Sequence, residues 1–262
     1  MSESGLGPAR ASREERPARV GLSGWAAARL QAGWTARRIL RGRMLWIACF
    51  FALGPIGVAI LVVETKHTTK WETLFTPLLL LSGLVPPLFT GSAVAEEIED
   101  RTFTYLWSRP LPRWSVLIGK LMGTVPLSAA VLVLTTLICF QLAHRAVPVD
   151  YVWPPMALGR ALGGVALASL ALSMVSAGIA ILMPRHGLGV TYAYLLVLDL
   201  PLGTMPFSLA NLSLSHHIRI VGGLDRSGSA TSSAIWLLGI GLAWLIVGLW
   251  RISRSEFATS EK

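Results

Sequence analysis

The sequence predicts an all-α integral membrane protein with six transmembrane helices and both termini in the cytoplasm. Three observations carry this reading. First, 53% of the 262 residues are hydrophobic and 14% are charged, whereas a soluble domain carries roughly 25% charged residues. That composition cannot supply a polar skin, and its apolar content also excludes a disordered chain. Second, the apolar residues are gathered into runs of membrane-crossing length, about 20 residues each. Third, the basic residues fall unevenly between the loops that join those runs.

Residues 1–21, dominated by Gly, Pro, Ser, Arg and Glu, read as a disordered cytoplasmic tail. The region up to 43 holds nine arginines and no short apolar core before a small-residue cleavage site, so a signal peptide is not expected. Residues 22–43 contain helix formers, Trp25, Trp34 and five of those arginines. Basic residues mixed with tryptophan suit the inner-leaflet surface, and the stretch reads as an interfacial helix. The alternative is a basic flank that only enforces topology.

The first span covers 44–63 and the second 74–95, both free of charge. The third runs from 114 to 143, with its uncharged part beginning at Leu121. The fourth covers 158–183 and is rich in small residues, among them Gly164, Ala168, Ser173, Ala177 and Gly178. Small residues let helices approach closely, within the subunit or at a dimer contact. The fifth, 187–207, carries Asp199, Pro201 and Pro206. The sixth is the short run 234–250, followed by a cytoplasmic tail, 251–262. Five spans plus a re-entrant segment is the alternative. Trp46, Trp71, Trp114, Trp153, Trp236 and Trp250 fall near span ends, as an interfacial aromatic belt requires. Pro55, Pro77, Pro86, Pro87 and Pro126 interrupt several spans and predict kinks.

With the N-terminus inside, 17 of the 23 basic residues face one side and six the other. The net charge of +9 is thereby accounted for by topology, and no nucleic acid is needed. Cys49 and Cys139 lie in apolar runs and form neither a disulfide framework nor a CxxC metal pair.

The segment between spans two and three breaks the pattern. Four of the 14 acids, Glu96, Glu97, Glu99 and Asp100, occur within five positions just after an uncharged span. Phe103, Tyr105 and Trp107 follow, and Ser108-Arg109-Pro110 forms a helix stop, because a residue before proline disfavours the α region. A short helix lying flat with exposed aromatics suits a cytoplasmic protein partner. A solvated acidic loop is the plainer alternative.

The residues Glu96, Glu97, Glu99, Thr102, Leu106, Arg109, Pro110, Arg113, Gly119 and Lys120 resemble the ABC-2 type permeases, the membrane subunits of ABC exporters, and within them the NosY-like branch. The chain departs from that pattern at Arg101, where the family has glycine. The six-span layout, the basic helix before span one and the stretch 213–223 with its paired histidines extend the likeness over most of the chain. The resemblance implies that the segment from Glu96 to Arg113, with Tyr105 among its contacts, is a coupling helix that docks on an ATP-binding subunit. It implies an elbow helix at 22–43, two copies of the ATPase subunit, and a second permease subunit as homo- or heterodimer. It places the protein in the bacterial inner membrane and makes its transport export. ATP and magnesium would belong to the partner, since no G-x-x-x-x-G-K-[ST] loop occurs in this chain.

Outside that segment, Asp199 is the sharpest candidate. A carboxylate in a span usually faces a cavity or a partner, so it would line a translocation path or a subunit interface. The bland alternative places it at the outer boundary, capping the helix that follows at Pro201. His216 and His217 are adjacent and point roughly 100° apart on a helix, which does not suit one metal ion. An intramembrane enzyme would need a nucleophile with a base, or a metal set, at membrane depth, and no G-x-S-x-G, HExxH or aspartate pair occurs. A non-catalytic membrane scaffold is the remaining alternative to a permease.

Overall fold

A computed structural model describes residues 23–64, 71–99, 112–146, 155–205, 208–225 and 227–254. These residues are helical almost throughout, as an apolar chain in hydrocarbon must be, because only a helix or a closed barrel satisfies every backbone group there. Helix α1 (Gly24–Arg41) opens on Ser23, whose hydroxyl accepts the Ala26 N–H at 3.3 Å. Helices α2 (Arg43–Glu64), α3 (Trp71–Glu99), α4 (Arg113–Ala146) and α5 (Pro155–Leu182) follow. A 3₁₀ turn (Pro184–His186) then leads into α6 (Gly187–Ala193), a π-helical segment (Tyr194–Asp199) and the short α7 (Leu200–Thr204). A second 3₁₀ turn (Ser208–Leu212), α8 (Leu214–Val221) and α9 (Ala230–Arg254) complete the elements of the described residues.

Among the described residues, six stretches are long and apolar enough to cross a membrane: Arg43–Leu61, Phe75–Ala95, Trp114–His144, Ala157–Leu182, Pro184–Thr204 and Ala230–Arg254. The fifth is continuous through Asp199, so the segment with the carboxylate is one span rather than two half-segments. The prolines at 55, 77, 86, 87 and 126 all lie inside unbroken helices. The Tyr192 hydroxyl donates to the Leu84 carbonyl at 3.0 Å and ties α6 to α3 beside the Pro86-Pro87 pair.

The spans divide into a centre and a periphery. In α3 and α5, 72% of the most apolar stretch is buried, against 22% in α2 and 28% in α4, the fifth span and α9. Trp46, Phe50, Leu53, Val197, Ile235 and Ile246 are more than 60% exposed. In water such a surface would aggregate; in a bilayer it is the solvated face.

Close backbone approach organises the packing. Gly119 and Gly123, four apart on α4, lie against the Ala28 and Ala32 carbonyls of α1; a Cβ on either would sit 2.6–2.7 Å from that oxygen. Trp25 and Trp114 close the same seam edge to face, 5.2 Å apart. Helix α1 is thus bound to the third span, not merely adjacent to the first. On the other side, a Cβ at Gly178 of α5 would stand 2.5 Å from the Trp244 carbonyl of α9. The small residues of span four therefore serve packing inside the subunit at Gly178 and Gly164, while Gly159 and Gly163 meet nothing within 4 Å. Hydroxyl pairs add register: Thr90 to Thr124 at 2.9 Å links α3 to α4, and Ser128 to Ser169 at 2.6 Å links α4 to α5. Each is worth about 0.6 kcal/mol in a membrane.

Candidate functional site

The acidic cluster comes at the end of α3. Glu96, Glu97 and Glu99 occupy its last turn, and Arg113 opens α4. Thr102, Tyr105, Leu106, Arg109 and Pro110 lie outside the described residues. One residue of this region emerges in a place its sequence did not suggest. Lys120, counted among the cytoplasmic flank by its charge, lies a full turn and more inside the third span and is 1% exposed. Its ammonium donates to the Ala93 carbonyl of α3. An ammonium so placed ties the C-terminal end of α3 to the N-terminal end of α4, at the two roots of the segment between them. The signal available was a single lysine followed by 23 uncharged residues, and an end-of-span reading was the simpler one.

Asp199 anchors the opposite end. It closes the π segment, is 4% exposed and lies 15 residues before the helix it serves. Its carboxylate accepts the N–H groups of Leu214 at 2.6 Å and Ser215 at 2.9 Å, the first turn of α8. Its own carbonyl accepts the Ser213 hydroxyl at 2.9 Å and the Ser215 hydroxyl at 3.1 Å. The helix that follows at Leu200 receives no side-chain cap. A negative charge at a helix N-terminus satisfies orphan donors and meets the positive end of the macrodipole. The carboxylate is therefore the clasp of a hairpin that returns from α7 through α8. Gly203 is required there: any Cβ would run into the hydroxyls of Ser213 and Ser215.

His217 completes the hairpin and is 2% exposed. One ring nitrogen, Nε2, meets the Asn211 carbonyl at 2.8 Å, so it carries the proton; Nδ1 has no partner among the described residues. The ring lies parallel to Trp236 of α9, 6.2 Å between centroids. Burial pushes its pKa below the ordinary 6.5. His216 beside it is half-buried, and among the described residues no group of three or more His, Cys, Asp or Glu could hold a metal ion.

Between this hairpin and the spans lies a cavity of about 740 Å³. Phe51 and Pro55 of α2, Leu80 and Leu84 of α3, Leu196 and Ile218 supply its apolar wall, and Asp199, Ser215 and Arg219 reach it from the hairpin.

A family model described as ABC-2 family transporter protein matches residues 51–222, about two thirds of the chain. The chain belongs to the ABC-2 transporter family. No curated protein matches it. The matched region of this ABC-2 protein contains spans two to five, the segment from Glu96 to Arg113, and the hairpin clasped by Asp199. Membership makes the chain a membrane permease subunit of an ABC transporter, which works with an ATP-binding subunit. In this permease the polar groups of the hairpin, the buried Lys120 and the hydroxyl pairs between spans were not legible as a set, because each is separated in sequence from its partner.

Proposed function

We propose that this permease subunit forms half of the translocation path of an ABC exporter in the bacterial inner membrane, with both termini cytoplasmic. The segment from Glu96 to Arg113 is its coupling helix, received by one of two ATP-binding subunits that carry the ATP and magnesium. Helix α1 is the elbow helix at the inner leaflet, and a second permease subunit, identical or related, completes the membrane part.

The observation that carries this reading is the family match across residues 51–222, which includes the acidic turn where coupling would occur. Its placement adds support. Both helices that flank the segment are rooted in the bundle, with Lys120 holding α4 to the Ala93 carbonyl of α3. Force applied to the segment by an ATPase would be transmitted to α3, one of the two central spans, and to α4. The exposed apolar face of α2 and of the fifth span leaves room for a second subunit as well as lipid.

Co-expression with a candidate ATP-binding subunit, followed by purification through a tag on the permease, tests the proposal. A complex with two ATPase copies and ATP hydrolysis lost on Glu97→Ala with Arg109→Ala is the expected result. Absence of a complex, or full activity in the double variant, would remove the coupling assignment and favour a non-catalytic scaffold.

A further inference from the structure

We propose that the bend between α1 and α2 holds the phosphate of one phospholipid, with the alkyl chains lying along the exposed face of α2. A cavity of about 380 Å³ lies there, between the last two turns of α1, the first turn of α2 and the end of α3. Its depth fixes what surrounds it. Arg43 opens the first span, and Ala93 stands two residues from the close of the second at Ala95. Both ends place the cavity at the level of lipid headgroups. Ile47 on its wall is exposed, as are Trp46 and Phe50 beside it, so the wall continues into the lipid-facing surface of α2.

Unmet donors decide the chemistry. Thr35 lines the cavity and is 3% exposed, yet its Oγ1 has no hydrogen-bond partner, and a buried hydroxyl left so is costly. The start of α2 lines the same cavity. Gly42, the residue before that helix, has no side chain to cap it, and its own N–H turns back to the Ile39 carbonyl at 3.1 Å. The first N–H groups of α2 are thereby left for an acceptor from outside the helix, at the positive end of a 22-residue macrodipole. The negative end of α1 close by is met by Arg38 and Arg41 in its last turn. The hydroxyl and the helix start belong to different helices, and a phosphate has oxygens enough to meet both. Arg43 is exposed at the rim and sets a preference between headgroups, not the phosphate site itself. Arg38 packs over the Trp34 ring at 5.5 Å and has further interactions of its own, so no donor of Arg38 is required. No acid occurs from Arg16 to Val63. The competing acceptor within the chain is Glu96, three residues after Ala93 on α3; the cavity is of small-ligand size, far larger than one carboxylate.

Native mass spectrometry of the full chain in detergent counts the lipids it retains. Dioleoylphosphatidylglycerol and dioleoylphosphatidylcholine are added separately, and glycerol 3-phosphate is the soluble competitor. One lipid per chain should be retained. Phosphatidylglycerol should be held about fivefold better than phosphatidylcholine, the contribution of one basic residue near an anionic headgroup, and glycerol 3-phosphate should not displace it. Thr35→Val should weaken retention of both lipids about tenfold, as loss of a hydrogen bond to a charged group does, and Thr35→Ser should restore it. Arg43→Gln should erase only the preference for phosphatidylglycerol. Arg37→Gln, on the same helix outside the cavity, should change nothing. Displacement by glycerol 3-phosphate would make this a site for free phosphates and overturn the proposal. So would unchanged retention with a raised thermal midpoint in Thr35→Val, because the hydroxyl would then be a buried cost with no ligand. An equal fall in Arg37→Gln and Arg43→Gln would reduce the effect to diffuse charge. No retained lipid in the wild type, with one appearing in Glu96→Gln, would assign the site to the chain's own acid. The site rests on the membrane spans and not on the transport role, so loss of the coupling assignment leaves it standing, and its own failure leaves that assignment untouched.

Discussion

Asp199 shows what a lone carboxylate in a span can be for. A buried charge is tolerated when hydrogen bonds meet its lone pairs, and here two backbone donors and the start of a helix do so. Asp199→Ala should leave both N–H groups buried and unmet, at about 1–3 kcal/mol each. A lowered thermal midpoint in detergent, with faster amide exchange confined first to α8, would check it. Unchanged exchange would show that the clasp is dispensable. His217 gives the hairpin a pH dependence of definite sign. Its folded pKa lies below 6.5, so below that pH the unfolded hairpin binds a proton that the folded one resists, and stability rises with pH. His216, 5.4 Å away ring to ring, opposes protonation, while Asp199 favours it. Amide exchange of α8 should accelerate beyond its intrinsic pH dependence on going from about pH 7 to about pH 5, and His217→Gln should abolish the excess.

Among the elements, the α1–α4 seam is the most exacting. Ala28 and Ala32 meet Gly119 and Gly123 with backbone against backbone, so a larger residue cannot be absorbed by a rotamer change. Gly123→Leu should destabilise by about 1–3 kcal/mol through overpacking. The distinguishing readout is local: α1 should become protease-sensitive while the central pair α3 and α5 stays protected. Substitution at Gly163, which meets nothing within 4 Å, is the matched control and should have no such effect. That contrast was beyond the sequence, where both positions are glycines in apolar runs. The Gly119-Lys120 pair was recognised as part of a pattern, yet its physical content is packing by the glycine and a tie to the Ala93 carbonyl by the lysine.

At the scale of the molecule, the described residues form a bundle with two buried spans and four that face outward. Its stability in a membrane comes from packing and from hydrogen bonds between spans, since lipid tails are as apolar as leucine and exclude any hydrophobic drive between helices. Replacing both hydroxyls of a pair, as in Thr90→Val with Thr124→Val, should therefore cost little, about 0.6 kcal/mol. A single replacement should cost more, because it strands the remaining hydroxyl. Urea or SDS unfolding of the two singles and the double measures the coupling directly. An additive double variant would show that the pair contributes nothing as a pair.

The six apolar runs, the acidic turn after span two and the resemblance to ABC-2 permeases were legible in the sequence, because hydropathy, charge placement and short-range motifs depend on neighbouring residues. Chain order could not disclose which charges were satisfied. Asp199 is held by residues 15 and 16 positions away and Lys120 by one 27 positions away. Arg219 reaches a cavity whose walls come from α2, α3 and the π segment. A buried charge is governed by what surrounds it in three dimensions, and only the tertiary structure brings those surroundings together.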